Sequence, residues 1–253
     1  MVVVNAPPMS KGFPLILGAG PIPELAMKHA CEAIAESCGC GLLSYACGES
    51  PHKVLASTES TRDLVRLCGD AAQIQGYFDI PCDHIYGSPV LVDYLSTQNL
   101  GDIVVVSPDV GGVARARAFA KQMNDAPLAI IDKRRTGHNQ AESLTVIGDV
   151  AGKTAVLIDD MIDTGGTICA GAKLLRQQGA QRVIACATHA VFSPPACERL
   201  SAEGLFEQVV VTNSLPIELD GSFPQLKILS AANMLGEAIL RIHEESSVSS
   251  MFR

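Results

Sequence analysis

The sequence has few charged residues and no excess of positive charge, and both features limit what the protein does. Charged residues make up 18% of the 253 positions, and 19 Lys and Arg against 27 Asp and Glu give a net charge of −8. A pI near 5.2 argues against broad nucleic-acid binding, which requires a basic surface. No apolar run approaches the roughly 20 residues that span a membrane. We therefore expect no nucleic-acid partner and no membrane partner.

The sequence also shows no clear targeting signal and no clear metal-binding motif. The first residues show no basic segment followed by an apolar one, which a secretory signal requires. Residues 1–70 hold five Lys or Arg and seven Asp or Glu, whereas transit peptides are poor in acids. We expect a cytoplasmic protein, with a plastid location as the alternative. Cys38 and Cys40 are followed by no second pair at zinc spacing, so the nine Cys are interpreted as reduced thiols.

Apolar residues make up 47% of the chain, which excludes disorder over most of its length. From Ile103 onward, short β-branched runs alternate with amphipathic stretches, a pattern typical of βαβ units. The predicted strands are 103–106, 128–131, 154–158, 183–187, 209–212 and 226–229, and the predicted helices are 112–123, 168–178, 195–201 and 231–243. The fold class is therefore α/β, with a parallel sheet and helices on both faces. Residues 1–70 are less regular, with a candidate strand at 14–17 and a candidate helix at 23–37.

The most informative segment is Val156-Leu-Ile-Asp-Asp-Met-Ile-Asp-Thr-Gly-Gly-Thr-Ile168. A predicted strand delivers Asp159 and Asp160 to the carboxyl edge of the sheet, where open α/β sheets bind ligands. Gly165 and Gly166 allow a tight backbone turn, and the amides of residues 163–167 can then form an anion-binding nest at the start of the next helix. The order differs from a P-loop, which needs Gly-Lys followed by Ser or Thr. Acids beside a phosphate nest suit a phosphorylated sugar.

This segment resembles the phosphoribosyl-diphosphate (PRPP) binding motif of type I phosphoribosyltransferases and of PRPP synthetases. The rest of the chain from residue 70 resembles the synthetases, and the plant and cyanobacterial type most closely, in the stretches 72–84, 105–113, 131–135, 185–189 and 247–252. The resemblance implies a phosphoribosyltransferase-like sheet preceded by an incomplete N-terminal α/β domain. We accordingly divide the chain into an atypical, shortened N-terminal domain, 1–99, which is family-like only from about 71, and a C-terminal domain, 100–253, with the PRPP-binding motif.

The resemblance implies transfer of the β,γ-diphosphoryl group of ATP to the 1-hydroxyl of ribose 5-phosphate, with PRPP and AMP as products and magnesium as the required ion. It assigns catalysis to Lys133 and Arg135, in a loop that closes over the substrates. It assigns ribose 5-phosphate or PRPP binding to Asp159, Asp160, Asp163, Thr164, Gly165, Gly166 and Thr167. The magnesium candidates are Asp79, Asp83 and Asp109, because hard oxygen ligands suit that ion. A turn or capping role is the competing interpretation for these acids.

Regulation and assembly also follow from the resemblance alone. Synthetases of this type are usually hexamers, so we expect a homo-oligomer. Residues 72–84 and 247–252 resemble segments that shape a regulatory site for phosphate or ADP between subunits. The corresponding candidates here are Gln75, Ser247, Ser249 and Phe252.

The sequence departs from the family pattern before residue 71. The family reads Asp-Leu-His where this chain has Cys68, Gly69 and Asp70, so a metal-site acid is replaced by Cys and a metal-site His by Asp. Asp70 keeps a carboxylate that suits magnesium, whereas Cys68 does not. The ATP-binding segments of the first domain are also missing from residues 1–70, which indicates a shortened or alternatively spliced product, or a gene-model error. We therefore expect impaired activity; the alternatives are a non-catalytic subunit of a synthetase assembly and a PRPP-using phosphoribosyltransferase.

Overall fold

The computed structural model describes residues 2–5, 15–16, 41–44, 64–67, 82–134, 143–215, 217 and 223–252. The strands are β1 (Val2–Asn5), β2 (Leu15–Ile16), β3 (Gly41–Ser44), β4 (Leu64–Leu67), β5 (Cys82–Ile85), β6 (Ile103–Ser107), β7 (Leu128–Arg134), β8 (Ser143–Ile147), β9 (Thr154–Ile162), β10 (Arg182–Ala190), β11 (Gln208–Thr212) and β12 (Leu226–Leu229). The helices are α1 (Ser88–Ser96), α2 (Val113–Gln122), α3 (Gly166–Gln177), α4 (Ala196–Leu200) and α5 (Ala232–His243), and a 3-10 helix covers Val248–Phe252. None of the helices in these ranges is long and apolar enough to cross a bilayer.

The chain divides into two compact units. Unit 1 comprises residues 1–87, 214–216 and 230–253, and unit 2 comprises residues 88–213 and 217–229. These units differ from the division predicted at residues 99 and 100, because α1 packs with unit 2 and α5 belongs to unit 1. The assignment of domains stays a prediction. The candidate helix at 23–37 lies outside the described residues.

Unit 2 is built on a seven-stranded sheet in the order β12-β11-β10-β9-β6-β7-β8. Its strands are parallel, except that β8 runs antiparallel to β7. Side chains of the central strands alternate between two apolar layers: Val104 and Val106 pack on one face of the sheet, and Val105 on the other. Helices α3 and α4 cover the first face and α1 and α2 the second, which confirms the predicted sheet with helices on both faces.

Two elements of unit 2 were missing from the sequence prediction. Helix α1 begins with Ser88 and Pro89, a helix-start pair, and buries Leu91 and Leu95 one turn apart. Strand β8 pairs antiparallel with β7, so that Lys133 lies opposite Leu144. The strand predicted to end at Ile131 therefore continues through Arg134, and the basic segment begins inside a strand rather than after it.

Unit 1 contains the parallel three-stranded sheet β2-β4-β5 and the antiparallel pair β1-β3. Ile85 of β5 is fully buried in a small core with Ala231, Leu235, Ala238 and Val248. Helix α5 and the 3-10 helix are joined by Arg241, whose guanidinium donates to the Ser247 carbonyl (3.3 Å) and to Ser250 Oγ (2.6 Å).

Two helical glycines test the packing of the sheet. A Cβ at Gly171 of α3 would lie 2.8 Å from Ile131 Cδ1 in the core, whereas a Cβ at Gly236 of α5 would meet open space. Alanine favours a helix over glycine by about 1 kcal/mol, but overpacking a core costs about 1–3 kcal/mol. We expect Gly171→Ala to lower the free energy of unfolding and Gly236→Ala to raise it, as measured by urea denaturation. Equal stabilisation by both substitutions would contradict the close packing of α3 on the sheet.

Candidate functional site

The site lies where the chain reverses its direction of progress through the sheet of unit 2. Strand β6 pairs with β7 on one side and with β9 on the other. The connections that leave β6 and β9 therefore run to opposite faces of the sheet, α2 covering one face and α3 the other. A crevice at the carboxyl ends of two such strands is where open α/β sheets bind ligands.

The turn from β9 into α3 is the candidate anion-binding part of the site. Gly165 has φ +72°, a left-handed conformation that residues with a Cβ adopt only at a cost, and α3 begins at the next residue. The Cys169 amide donates to the Gly165 carbonyl at 3.0 Å. The amides of the residues just before Cys169 therefore have no acceptor within the helix. No side chain of the described residues caps this helix start. The open amides and the positive end of the helix dipole together favour an anion, as the sequence predicted.

Two basic side chains from other elements contact this turn. Lys133 of β7 is exposed, and its Nζ donates to Thr167 Oγ1 at 3.3 Å. Arg199 of α4 donates through Nη1 to the Thr164 carbonyl at 3.1 Å. Both cations add positive charge at the start of α3, and Arg199 also constrains the backbone of the turn.

Asp159 and Asp160 lie in the last part of β9, beyond Leu157, where the pairing with β6 ends. Arg115 of α2 bridges them: its Nη1 lies 2.7 Å from Asp159 Oδ1 and its Nη2 lies 3.3 Å from Asp160 Oδ2. Backbone donors hold the acids as well, since the Asp160 amide donates to Asp159 Oδ1 at 3.0 Å and the Met161 amide to Asp160 Oδ1 at 2.9 Å. The carboxyls are mostly enclosed, with side chains 21% and 12% exposed.

The two neighbouring acids ionise at different pH. Burial, a hydrogen bond to Asp160 and the negative charge of Asp160 raise the pKa of Asp159 to about 7, against the opposing effect of Arg115. Burial would also raise the pKa of Asp160, but the hydrogen bond from Asp159 and the charge of Arg115 outweigh it, so the pKa of Asp160 is lowered. At neutral pH, Asp160 is therefore ionised, whereas a ligand or a nearby cation can change the protonation of Asp159.

The loop after β6 lies beside this crevice within unit 2. Asp109 is exposed and accepts a 2.7 Å hydrogen bond from the Gly112 amide through Oδ1. Ser107 Oγ donates to the Asp109 carbonyl at 2.7 Å, which fixes the loop. A Cβ at Gly112 would lie 2.9 Å from Ser107 Oγ, so this close approach requires glycine. Asp109 thus has the turn role that competed with magnesium binding, while its carboxylate remains accessible at the surface.

Other predicted residues lie in unit 1 or outside the described residues. Asp83 lies in β5 of unit 1, where burial raises the pKa of its carboxyl. Ser247 and Ser249 are exposed, and the half-buried Phe252 packs edge-on against Tyr86 with ring centroids 5.5 Å apart. The residues outside the described ranges are Arg135, Asp70, Asp79 and Gln75. Within those ranges, no group of three or more His, Cys, Asp or Glu side chains is arranged to hold a metal ion.

Sequence reasoning missed Arg115 and Arg199. Arg115 did carry a signal, because it lies in the first turn of α2, where the helix dipole disfavours a cation and no acidic residue is present. A basic residue in that position predicts an acidic partner from another element. Arg199 carried no comparable signal, since its partner is a backbone carbonyl 35 residues away.

Comparisons with known proteins agree with this geometry. Residues 134–253 match the phosphoribosyl synthetase-associated domain. A ribose-phosphate pyrophosphokinase of Parasynechococcus marenigrum (strain WH8102) is 89% identical over 183 residues, which are 72% of this chain and 55% of that protein. One of Prochlorococcus marinus (strain MIT 9313) is 85% identical over the same shares. The chain thus spans about half the length of the curated relatives that it matches.

This chain covers a larger share of one relative of known structure. The crystal structure of phosphoribosylpyrophosphate synthetase from Mycobacterium smegmatis shares 33% identity and a TM-score of 0.70, over 97% of this chain and 91% of that one. The fold places this protein among the α/β proteins with a ligand crevice at the switch point of a largely parallel sheet. Within that class, the chain belongs to the phosphoribosylpyrophosphate synthetases, also called ribose-phosphate pyrophosphokinases. The predicted family and the phosphoribosyltransferase-like α/β class are confirmed.

The raised pKa of Asp159 predicts how stability varies with pH. An unfolded Asp has a pKa near 3.8, so between about pH 4 and 7 the folded chain binds the extra proton. The contribution of Asp159 to stability therefore falls as the pH rises through this window and then levels off. We expect Asp159→Asn, measured by urea denaturation, to gain stability relative to the unmodified chain from pH 5 to 8. The exposed Asp93→Asn is the control; parallel pH curves for the unmodified chain and Asp159→Asn would contradict the assigned protonation.

Proposed function

We propose that this chain binds ribose 5-phosphate in the crevice of unit 2 and transfers to it the β,γ-diphosphoryl group of ATP, giving PRPP and AMP. Membership of the family supports the reaction. The observation that carries the proposal is the juxtaposition of the left-handed turn at Gly165, which starts α3 with open amides, and the acid pair Asp159 and Asp160 on the preceding strand. One end suits a phosphate and the other suits sugar hydroxyls.

In this proposal the 5-phosphate binds the amides of residues 163–167, with the hydroxyls of Thr164 and Thr167 as further donors. Asp159 and Asp160 accept hydrogen bonds from ribose hydroxyls and orient the ring. Diphosphoryl transfer depends mainly on placement and on neutralisation of phosphoryl charge. Lys133 would neutralise phosphoryl charge, and its exposed Nζ at the start of α3 supports this role. Arg135 shares this role by family resemblance.

Magnesium is part of the proposal, and the residues present fit it. Mg²⁺ binds through one or two carboxylates, substrate phosphates and water, so a closed protein cage is not required. Asp109 would hold the ion, since its carboxylate is exposed and anchored through a single oxygen to the Gly112 amide. Asp83, Asp79 and Asp70 are the further candidates that the resemblance supplies. When bound, the ion would neutralise charge on the triphosphate of ATP.

Assembly and regulation extend the proposal. We infer a homo-oligomer, with the family hexamer as its form and phosphate or ADP as effectors. Support in this chain comes from the segment with Ser247, Ser249 and Phe252, which is ordered by hydrogen bonds from Arg241. The exposed hydroxyls of Ser247 and Ser249 are donors of the kind that a phosphate accepts.

Ribose 5-phosphate binding should depend on the left-handed turn at Gly165. Gly152 has the same φ of +72° but lies in the loop before β9, so it controls for backbone strain. We expect Gly165→Val to lose ribose 5-phosphate affinity at least about tenfold in calorimetry, because a β-branched residue does not keep a positive φ. Gly152→Val should lose stability and keep affinity. Unchanged affinity in folded Gly165→Val would contradict the site.

Catalysis should depend on residues 68 and 70 and on Lys133. A coupled assay with ATP, magnesium, phosphate and ribose 5-phosphate would record AMP release by the unmodified chain and by Cys68→Asp with Asp70→His. We expect low turnover from the former and higher turnover from the latter, because the family's metal carboxylate is restored. In the latter background, Lys133→Ala should lower the rate on the order of 10²–10³-fold. The exposed Lys121→Ala should not.

Three results separate the candidate functions: AMP release in this assay, ribose 5-phosphate binding in calorimetry, and turnover in a separate assay with PRPP and a base. ATP-dependent AMP release that requires Lys133 supports the proposed reaction. Ribose 5-phosphate binding with no AMP release from either chain would indicate a non-catalytic subunit. Consumption of PRPP with a base and without ATP would indicate a phosphoribosyltransferase and would overturn the proposal.

A further inference from the structure

Arg115 belongs to the site but lies outside the sequence stretches that resemble the family. It lies in the first turn of α2, three residues after Gly112, and its guanidinium reaches across the crevice to β9. There it contacts one oxygen of Asp159 at 2.7 Å and one oxygen of Asp160 at 3.3 Å. A first-turn cation opposes the helix dipole, so this residue gains its stability from the two acids rather than from its own helix.

The ion pairs of Arg115 are largely enclosed, so solvent screens them less than it screens surface pairs. The side chain of Arg115 is 27% exposed, and the acids are 21% and 12% exposed. Its Nε is buried and has no hydrogen-bond partner among the described residues, so the guanidinium is oriented by its two terminal nitrogens. A planar guanidinium that bridges two carboxylates fixes their relative geometry, which a point charge such as a Lys ammonium does not do.

Arg115 opposes the effect of burial and of Asp160 on the pKa of Asp159, so without Arg115 that carboxyl would hold its proton more strongly, and both side chains would lose a contact that fixes their orientation. A protonated or rotated carboxyl is a poorer acceptor for a sugar hydroxyl. Arg115 engages Asp159 Oδ1 and Asp160 Oδ2, the backbone amides of Asp160 and Met161 engage the Oδ1 atoms, and these contacts together hold both side chains.

We propose that Arg115 is a positioning residue for the sugar: it holds Asp159 and Asp160 in the orientation that receives the ribose hydroxyls, and it contributes nothing to phosphate binding. This inference rests on the proposed function and deepens it. Arg115 acts through the acids and is therefore distinct from Lys133 and Arg199, which contact the phosphate turn. The site then has one set of cations for the phosphate end and a separate cation for the sugar end.

The test compares two probes, ribose 5-phosphate and inorganic phosphate, by calorimetry on the full chain. For Arg115→Ala we expect a loss of ribose 5-phosphate affinity of about 10- to 100-fold, the range of one or two charge-assisted hydrogen bonds, and an unchanged affinity for inorganic phosphate. The ribose 5-phosphate affinity of Arg115→Lys should lie between those of the unmodified chain and Arg115→Ala, because Lys keeps the positive charge but does not bridge both carboxylates. Arg117→Ala is the matched control, since Arg117 is an exposed residue of the same helix.

A second set of variants tests the proposal even if Arg115→Ala folds poorly. In Asp160→Asn, one member of the acid pair is neutral, so the further change Arg115→Lys should reduce ribose 5-phosphate affinity by a smaller factor than it does alone. Additive losses, or equal losses for both probes, would overturn the positioning role. Failure of the unmodified chain to bind ribose 5-phosphate would instead overturn the proposed function, so the two failures are distinguishable.

Discussion

The position of β6 between β7 and β9 is the constraint on which the site depends. Because β6 pairs with both strands, the connections after β6 and β9 separate to opposite faces of the sheet and leave a crevice at their carboxyl ends. The same arrangement brings α2 beside the end of β9, which lets Arg115 reach the acid pair. The central valines that hold β6 between two apolar layers are therefore as important to the site as its polar residues.

The electrostatics of the crevice differ from those of the whole chain. In a protein with net charge −8, an anion is attracted only where the local potential is positive. Here the open amides, the start of α3, Lys133 and Arg199 contribute such a potential. The acid pair lies next to this positive region, and Arg115 compensates part of its charge. A ligand that carries a phosphate at one end and hydroxyls at the other is complementary to both parts.

The local sequence of the β9–α3 segment allowed its acids and its glycine turn to be predicted. The contacts that other elements make with this segment could not be predicted. Residues 156–168 are local, so the strand, the acids, the tight turn at Gly165 and Gly166 and the following helix could all be predicted from their spacing. Arg115 is 44 residues from Asp159, and their pairing depends on the crossover between β6 and β9. Strand β8 was missed because the polar stretch 135–142 separates it from β7, so the two strands were not recognised as a pair. Long-range geometry of this kind follows from topology, which periodicity alone does not determine.

A crystal structure of this chain soaked with ribose 5-phosphate tests the central claim most directly. The account predicts electron density for the phosphate at the amides of residues 163–167, with the ribose hydroxyls within hydrogen-bond distance of Asp159 and Asp160 and with Arg115 still bridging these acids. Density for ribose 5-phosphate at another place in unit 2, or with its phosphate away from the turn at Gly165, would contradict the account.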